Sequence, residues 1–98
     1  MIDEDTAIKI AMKTGKVIIG SKKSIASIIK NKAQLIIKAA NCPHNITEEL
    51  KYYTKLTNIP IHTYKGSSLD LGFVCGKPFM ISTIAIEEAG DSEILKLS

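Results

Sequence analysis

The segment that most constrains this chain is Lys16 to Ile25, KVIIGSKKSI. A short apolar run, Val17 to Ile19, stops at Gly20. Two serines and two lysines follow, and from Ile25 the apolar residues recur at helical spacing. A continuous apolar run of this length reads as a buried strand. Glycine at its end permits the turn that sends the chain into a helix. The first turn of a helix leaves backbone N–H groups unpaired, and the helix dipole adds partial positive charge there. Lys22 and Lys23 add two full charges at the same place. Such a junction suits an anion.

The same alternation continues along the chain. Asp3, Glu4 and Asp5 form an acidic first turn, Ile8, Ala11 and Met12 an apolar stripe, and Lys13 and Gly15 a helix end. The second helix carries Ile25, Ile28 and Ile29 on one face and ends near Asn31. Leu35 to Ala40 reads as a second buried strand, stopped by Pro43. Asn45 with Glu48 resembles a capping pair, and Ile46, Leu50, Tyr53 and Leu56 trace a helical face up to Asn58 and Pro60. Ile61 to Tyr64 reads as a short strand, and Ser67 with Asp70 opens a short helix. Phe79 to Ile86 reads as the last long strand, followed by an acidic turn from Glu87 to Ser92 and a short segment from Ile94 to Leu97. The order α-β-α-β-α-β-α-β predicts an α/β fold, with a mainly parallel or mixed sheet between helices. The 98 residues form one domain.

In open α/β sheets, ligands collect beyond the carboxyl ends of the strands. Gly20–Ser24 and Asn41–Pro43 both follow strands and belong to that edge. The loop before Phe79 joins them if the fourth strand runs antiparallel to its neighbour.

Charge sharpens the reading. All 13 basic residues are lysine. Residues 1–38 hold eight lysines against three acids, and residues 39–98 hold five against seven. A basic surface is therefore concentrated in residues 9–38, and with no catalytic motif in sight its natural partner is a nucleic-acid backbone. Lysine point charges, not guanidinium forks, would make the contacts. The apolar runs are far too short to span a membrane, and no secretory signal pattern is present. Cys42 and Cys75 lack CxxC spacing and read as reduced thiols of a cytoplasmic protein.

The individual candidates carry two readings each. GSKKS at 20–24 lacks the GxxxxGK(S/T) spacing of a phosphate loop, and no GxGxxG is present, so Gly20, Ser21, Lys22 and Lys23 are an anion-binding turn or an ordinary solvated one. Asn41 is a turn residue before Cys42-Pro43, or an amide that hydrogen-bonds a base edge or phosphate. Phe79 and Ile81 are the first core residues of a strand, or apolar side chains exposed to pack on an unstacked base. Tyr52, Tyr53 and Tyr64 read as core or rim. His44 and His62 have no paired carboxylate in view, so neither a metal site nor a Ser-His-Asp site is expected. Glu87, Glu88 and Asp91 read as solvated surface.

Four blocks together are recognisable: TGKVIIGSKKSI at 14–25, AQLIIKAANCP at 33–43, EELKYYTKLTNIPIHTYKGSSLDLG at 48–72, and EEAGDSEIL at 87–95. Their order and spacing resemble the large-subunit ribosomal protein family thirty-e of archaea and eukaryotes, within the wider group of kink-turn RNA binders. The resemblance implies a three-layer α/β/α sandwich with a small mixed four-stranded sheet. It implies a non-enzymatic constituent of the cytoplasmic ribosome, with no cofactor or metal; nothing in the chain demands a dimer, so a free monomer is expected. Its partners would be kink-turn ribosomal RNA and neighbouring ribosomal proteins, with no membrane contact. Carried over by residue, Gly20 would allow close approach of backbone to RNA. Ser21, Lys22 and Lys23 would meet the tandem G·A pairs and phosphates, and Asn41 a guanine of that region. Phe79 and Ile81 would pack on the extruded base and a neighbouring sugar. Ser21 and Met80 stand where some relatives carry an aromatic residue or arginine, a departure from the family pattern. Two alternatives remain: a kink-turn subunit of another particle, such as a modification guide complex, and a small α/β enzyme taking a phosphorylated metabolite. Guide-complex relatives usually carry an Asn-Glu pair where this chain has Lys22-Lys23.

Overall fold

The structure, a computed structural model, describes residues 3–97. Helix α1 spans Glu4–Thr14, strand β1 Lys16–Ile19, α2 Ser21–Ile29, β2 Leu35–Lys38, α3 His44–Thr57, β3 Ile61–Thr63, α4 Ser68–Val74 and β4 Thr83–Glu88. A 3-10 turn at Ile94–Leu97 follows. The sheet order is β1-β4-β2-β3. Strands β2 and β3 pair in parallel, and β4 pairs antiparallel with both β1 and β2. No described helix is long and apolar enough to cross a membrane.

Side-chain alternation along the strands builds two cores. Leu35 and Ile37 of β2 and Ile84 and Ile86 of β4 face one side, where they pack with Ile8 and Ala11 of α1 and Leu71 of α4. Val17 and Ile19 of β1 lie against the same cluster. The residues between them, Ile18, Ile36 and Ala85, face the other side, with Ile28 of α2 and Leu50 of α3. Strands apolar on both faces need helices on both faces. The result is the expected three-layer α/β/α sandwich with a mixed four-stranded sheet.

Several local expectations give way to tertiary packing. Strand β4 begins at Thr83, not at Phe79. Residues 79–81 leave the sheet, and the Ile81 N–H donates to the Ser68 carbonyl, while the Ser82 carbonyl accepts from the Ala39 N–H and carries the β2–β4 register one bond further. Helix α3 starts at His44 after Pro43, so Asn45 lies inside the first turn and makes no cap. Ile29 of α2 is 61% exposed. The packed face is instead Ser24, Ser27 and Ile28, small side chains that bring the helix close to the sheet.

The acids also find partners that the sequence does not reveal. Glu87 is the penultimate residue of β4, not part of a solvated turn, and is only 8% exposed. Its carboxylate accepts from the Ser27 hydroxyl at 2.5 Å and pairs with Lys16 at 3.4 Å. The Ser27 bond, and then Lys16, hold its carboxyl below the ordinary glutamate value despite burial. His62 does have a carboxylate: it pairs with Glu4. Tyr64, also buried, donates to Asp5 at 2.7 Å. Burial, and then that carboxylate, raise its hydroxyl well above the usual value. The acidic first turn of α1 thereby anchors β3 and the residue that follows it. Cys42 and Cys75 are free thiols, and burial pushes Cys75 up to about 11.

Candidate nucleic-acid interface

The antiparallel direction of β4 decides where the candidate residues meet. Its N-terminal end lies beside the C-terminal ends of β1 and β2, since Ile19 pairs with Ile84 and Lys38 with Thr83. The loop before β4 therefore joins the loops after β1 and β2. Short bonds tie them: the Gly20 N–H donates to Thr83 at 3.0 Å, and the Ala39 N–H to Ser82 at 2.8 Å.

At this edge α2 starts without a side-chain cap. Its N-cap, Gly20, has φ +106° and ψ +146°, a conformation that side chains rarely adopt. A Cβ there would meet nothing within 4 Å, so backbone shape alone selects glycine. The uncapped first-turn N–H groups and the positive end of the helix lie beside the exposed Lys22 and Lys23. Neither lysine has an acid within 4.0 Å among the described residues.

A cleft of about 520 Å³ opens beside this helix start. Gly20, Ser21 and Lys23 form one wall, and Lys77, Phe79 and Ile81 the other. Phe79 is 53% exposed and available for stacking. Ile81 is 2% exposed and belongs to the core, so it can support the floor but presents little surface of its own. Gly72 lets α4 press against this loop: a Cβ there would sit 2.0 Å from the Phe79 carbonyl oxygen.

Asn41 lies at the same edge without lining the cleft. Its Oδ1 accepts from the Ser68 backbone N–H at 2.7 Å. That donor fixes which end of the amide is oxygen. The Nδ2 group is left with no partner among the described residues. Ser68 also accepts from the Ile81 N–H, so one residue of α4 braces both Asn41 and the loop before β4. Lys22 shares the first turn of α2 but likewise does not line the cleft.

The arrangement offers cations, open N–H donors, one oriented amide and one exposed aromatic ring. That combination can hold a phosphate backbone and an unstacked base. Among the described residues no acid–base pair lines the cleft; His44 and Glu48, 3.8 Å apart, are exposed outside it. Lys77 and Met80 also line the cleft, although no sequence motif marks either as a site residue. A lysine held between Gly76 and Pro78 is the one signal that points to the first.

The family model for the ribosomal protein L7Ae/L30e/S12e/Gadd45 family matches residues 4–96. The chain belongs to that family. Among similar proteins is large ribosomal subunit protein eL30 of Methanobrevibacter smithii, 52% identical over 95 residues, covering 97% of this chain and 96% of that one. The protein of the same name from Saccharolobus solfataricus is 48% identical over 90 residues, covering 92% and 83%. A solved protein of unknown function from Bacillus halodurans superposes with a TM-score of 0.85 at 18% identity, over 98% of this chain and 95% of that one. The likeness shows the fold. Family membership thus agrees with the sandwich and the family reading of the sequence.

Proposed function

We propose that this family member binds a kink-turn of ribosomal RNA through the edge carrying Gly20, Ser21, Lys22, Lys23, Asn41 and Phe79, with Ile81 beneath. It acts as a structural, non-enzymatic constituent of the large ribosomal subunit, the particle that the names of its relatives give for them. The chain works as one RNA-binding domain in the cytoplasm, monomeric before assembly. The observation that carries the reading is the convergence of three loops and the uncapped start of α2 on one edge.

The chemistry divides by residue. Lys22, Lys23 and Lys77 supply the salt-dependent attraction to phosphate. The open N–H groups of α2 add fixed donors that need no reorganisation. Nδ2 of Asn41 donates to a guanine edge, and the Phe79 ring covers the extruded base. Recognition is of a bent shape plus a few bases, and binding shifts an RNA that already samples the bend.

Binding to a kink-turn RNA and to a straight duplex of equal length, across a salt series, tests this. The kink-turn should bind tightly and the duplex weakly, and Lys22→Ala, Asn41→Ala or Phe79→Ala should each weaken the first. Equal affinity for both RNAs would sink the proposal, as would undiminished binding after deletion of the tandem G·A pairs.

A further inference from the structure

A second groove, of about 270 Å³, runs along the flank of α2 beside β1. Lys16 of β1, Lys23 and Lys30 beside α2, and Lys32 surround it. Its wall holds the Ser27–Glu87 pair. Lys23, Lys30 and Lys32 are exposed and have no acid within 4.0 Å among the described residues. Glu87 does not neutralise the groove as a whole: it is buried, and its oxygens are engaged by Ser27 and Lys16. Glu88 stands with Lys16 and Lys32 at the far end and bounds the positive strip there. Strand β1 is an edge strand, so no further strand covers this side.

Lys23 lines this groove and the loop cleft alike. The two positive surfaces are therefore continuous. Lys23 and Lys30 are seven residues apart on or at the end of α2, roughly 10 Å at a rise of about 1.5 Å per residue. That reach spans successive phosphates of one strand. The groove has no aromatic side chain to stack a base. It is suited to backbone and not to sequence.

We propose that this strip holds the phosphate backbone of a double-helical RNA stem leaving the loop cleft, a proposal that rests on reading the loop edge as the RNA site. Continuity with that edge and the run of unpaired ammonium groups select a stem of the same RNA over a separate partner. The strip then adds affinity and fixes the direction in which the stem departs, while the loop edge retains specificity.

The test uses the full chain, its Lys30→Ala/Lys32→Ala variant, and kink-turn RNAs with either stem trimmed or extended by one helical turn. Both lysines are exposed, so the variant should fold, and circular dichroism checks that it does. Wild-type protein should bind one of the two extended RNAs more tightly than its trimmed form. The variant should match wild type on the trimmed RNAs and lose that gain. Its slope of log K against log salt on the extended RNA should be shallower by about 2, near 0.9 for each phosphate that is no longer neutralised. Identical slopes and affinities for the two proteins on both extended RNAs would overturn the proposal. So would equal weakening on trimmed and extended RNA, which would mark the strip as a generic charge. Intact RNA binding with poor co-sedimentation with the large subunit would also overturn it, in favour of an acidic protein neighbour. Failure of the loop-edge reading shows separately, as a wild-type protein that does not distinguish kink-turn from straight duplex.

Discussion

Two kinds of helix start divide this molecule. Helices α1 and α4 begin closed. Asp3 accepts from the Thr6 N–H at 3.1 Å, and Ser67 with Asp70 forms a reciprocal capping box at α4. Helices α2 and α3 begin open, after Gly20 and Pro43, without side-chain caps. The open pair follows β1 and β2, on the edge where the candidate residues gather. Capping an N terminus is worth about 1 kcal/mol, so each uncapped start forgoes stability of that order. The closed starts satisfy backbone donors with their own side chains, while the open ones leave those donors without a side-chain partner. Only α2 adds lysines to its first turn; α3 begins with His44 and Asn45 and soon meets Glu48 and Glu49. On the proposed reading the anion binds at α2.

The sharpest way to break the comparison is the residue that serves both kinds of end. Asn41→Asp keeps the oxygen that accepts from Ser68 and so leaves the brace on α4 intact. A negative charge near that helix start is tolerated or favourable. The amide donors are lost, and the new charge repels phosphate. Kink-turn affinity should fall about 10- to 100-fold, ~1–3 kcal/mol, with little change in Tm. Parallel binding and thermal-melting curves check it, and a large Tm loss at unchanged affinity would reverse the assignment.

Gly20→Ala acts on the open start alone. The added methyl meets nothing, so the penalty is the backbone conformation, about 1–3 kcal/mol. Denaturant unfolding should show that loss, and relaxation of the turn should weaken RNA binding as well. Ser67→Ala acts on the closed start of α4. It should cost ~1 kcal/mol, or about 4–8 °C in Tm for a chain of this size, with a smaller effect on RNA.

The smallest effect is expected at Glu87. Its carboxyl is held below the ordinary glutamate value of 4.5 in the folded protein, so its stabilising contribution is full well above that value and is lost as the pH falls through the lowered one. Glu87→Gln removes a charge-assisted bond and should cost below about 1 kcal/mol at neutral pH. Its stability curve should be flatter on the acid side than that of wild type. Unfolding midpoints between neutral and acid pH measure this, and an unaltered acid limb would show that Glu87 does not contribute to it.

Much of the fold was legible because its signals are local. Val17–Ile19 and Leu35–Ile37 announce themselves as uninterrupted apolar runs, and Ser67 with Asp70, three positions on, as a helix cap. Gly20 and the two lysines after it mark an anion-friendly turn without any tertiary knowledge. The exceptions are as instructive. Phe79 to Ile81 has strand-like composition, but the Ile81 N–H donates to Ser68 of α4 instead of to a neighbouring strand. Ile81 and Phe79 look alike in the sequence, yet one is buried in the core and the other faces the cleft. Glu87 reads as surface because Ser27, its partner, lies 60 residues away.

Local signals were enough for the order of elements, the layered class and the charge on α2, since periodicity, glycine and lysine act over a few neighbouring residues. The antiparallel course of β4 between β1 and β2 emerges only when the whole chain packs. That single direction carries the loop before β4 to the edge shared by Gly20 and Asn41. Strand direction depends on long-range pairing and on burying both faces of the sheet at once, and no local stretch of residues encodes it.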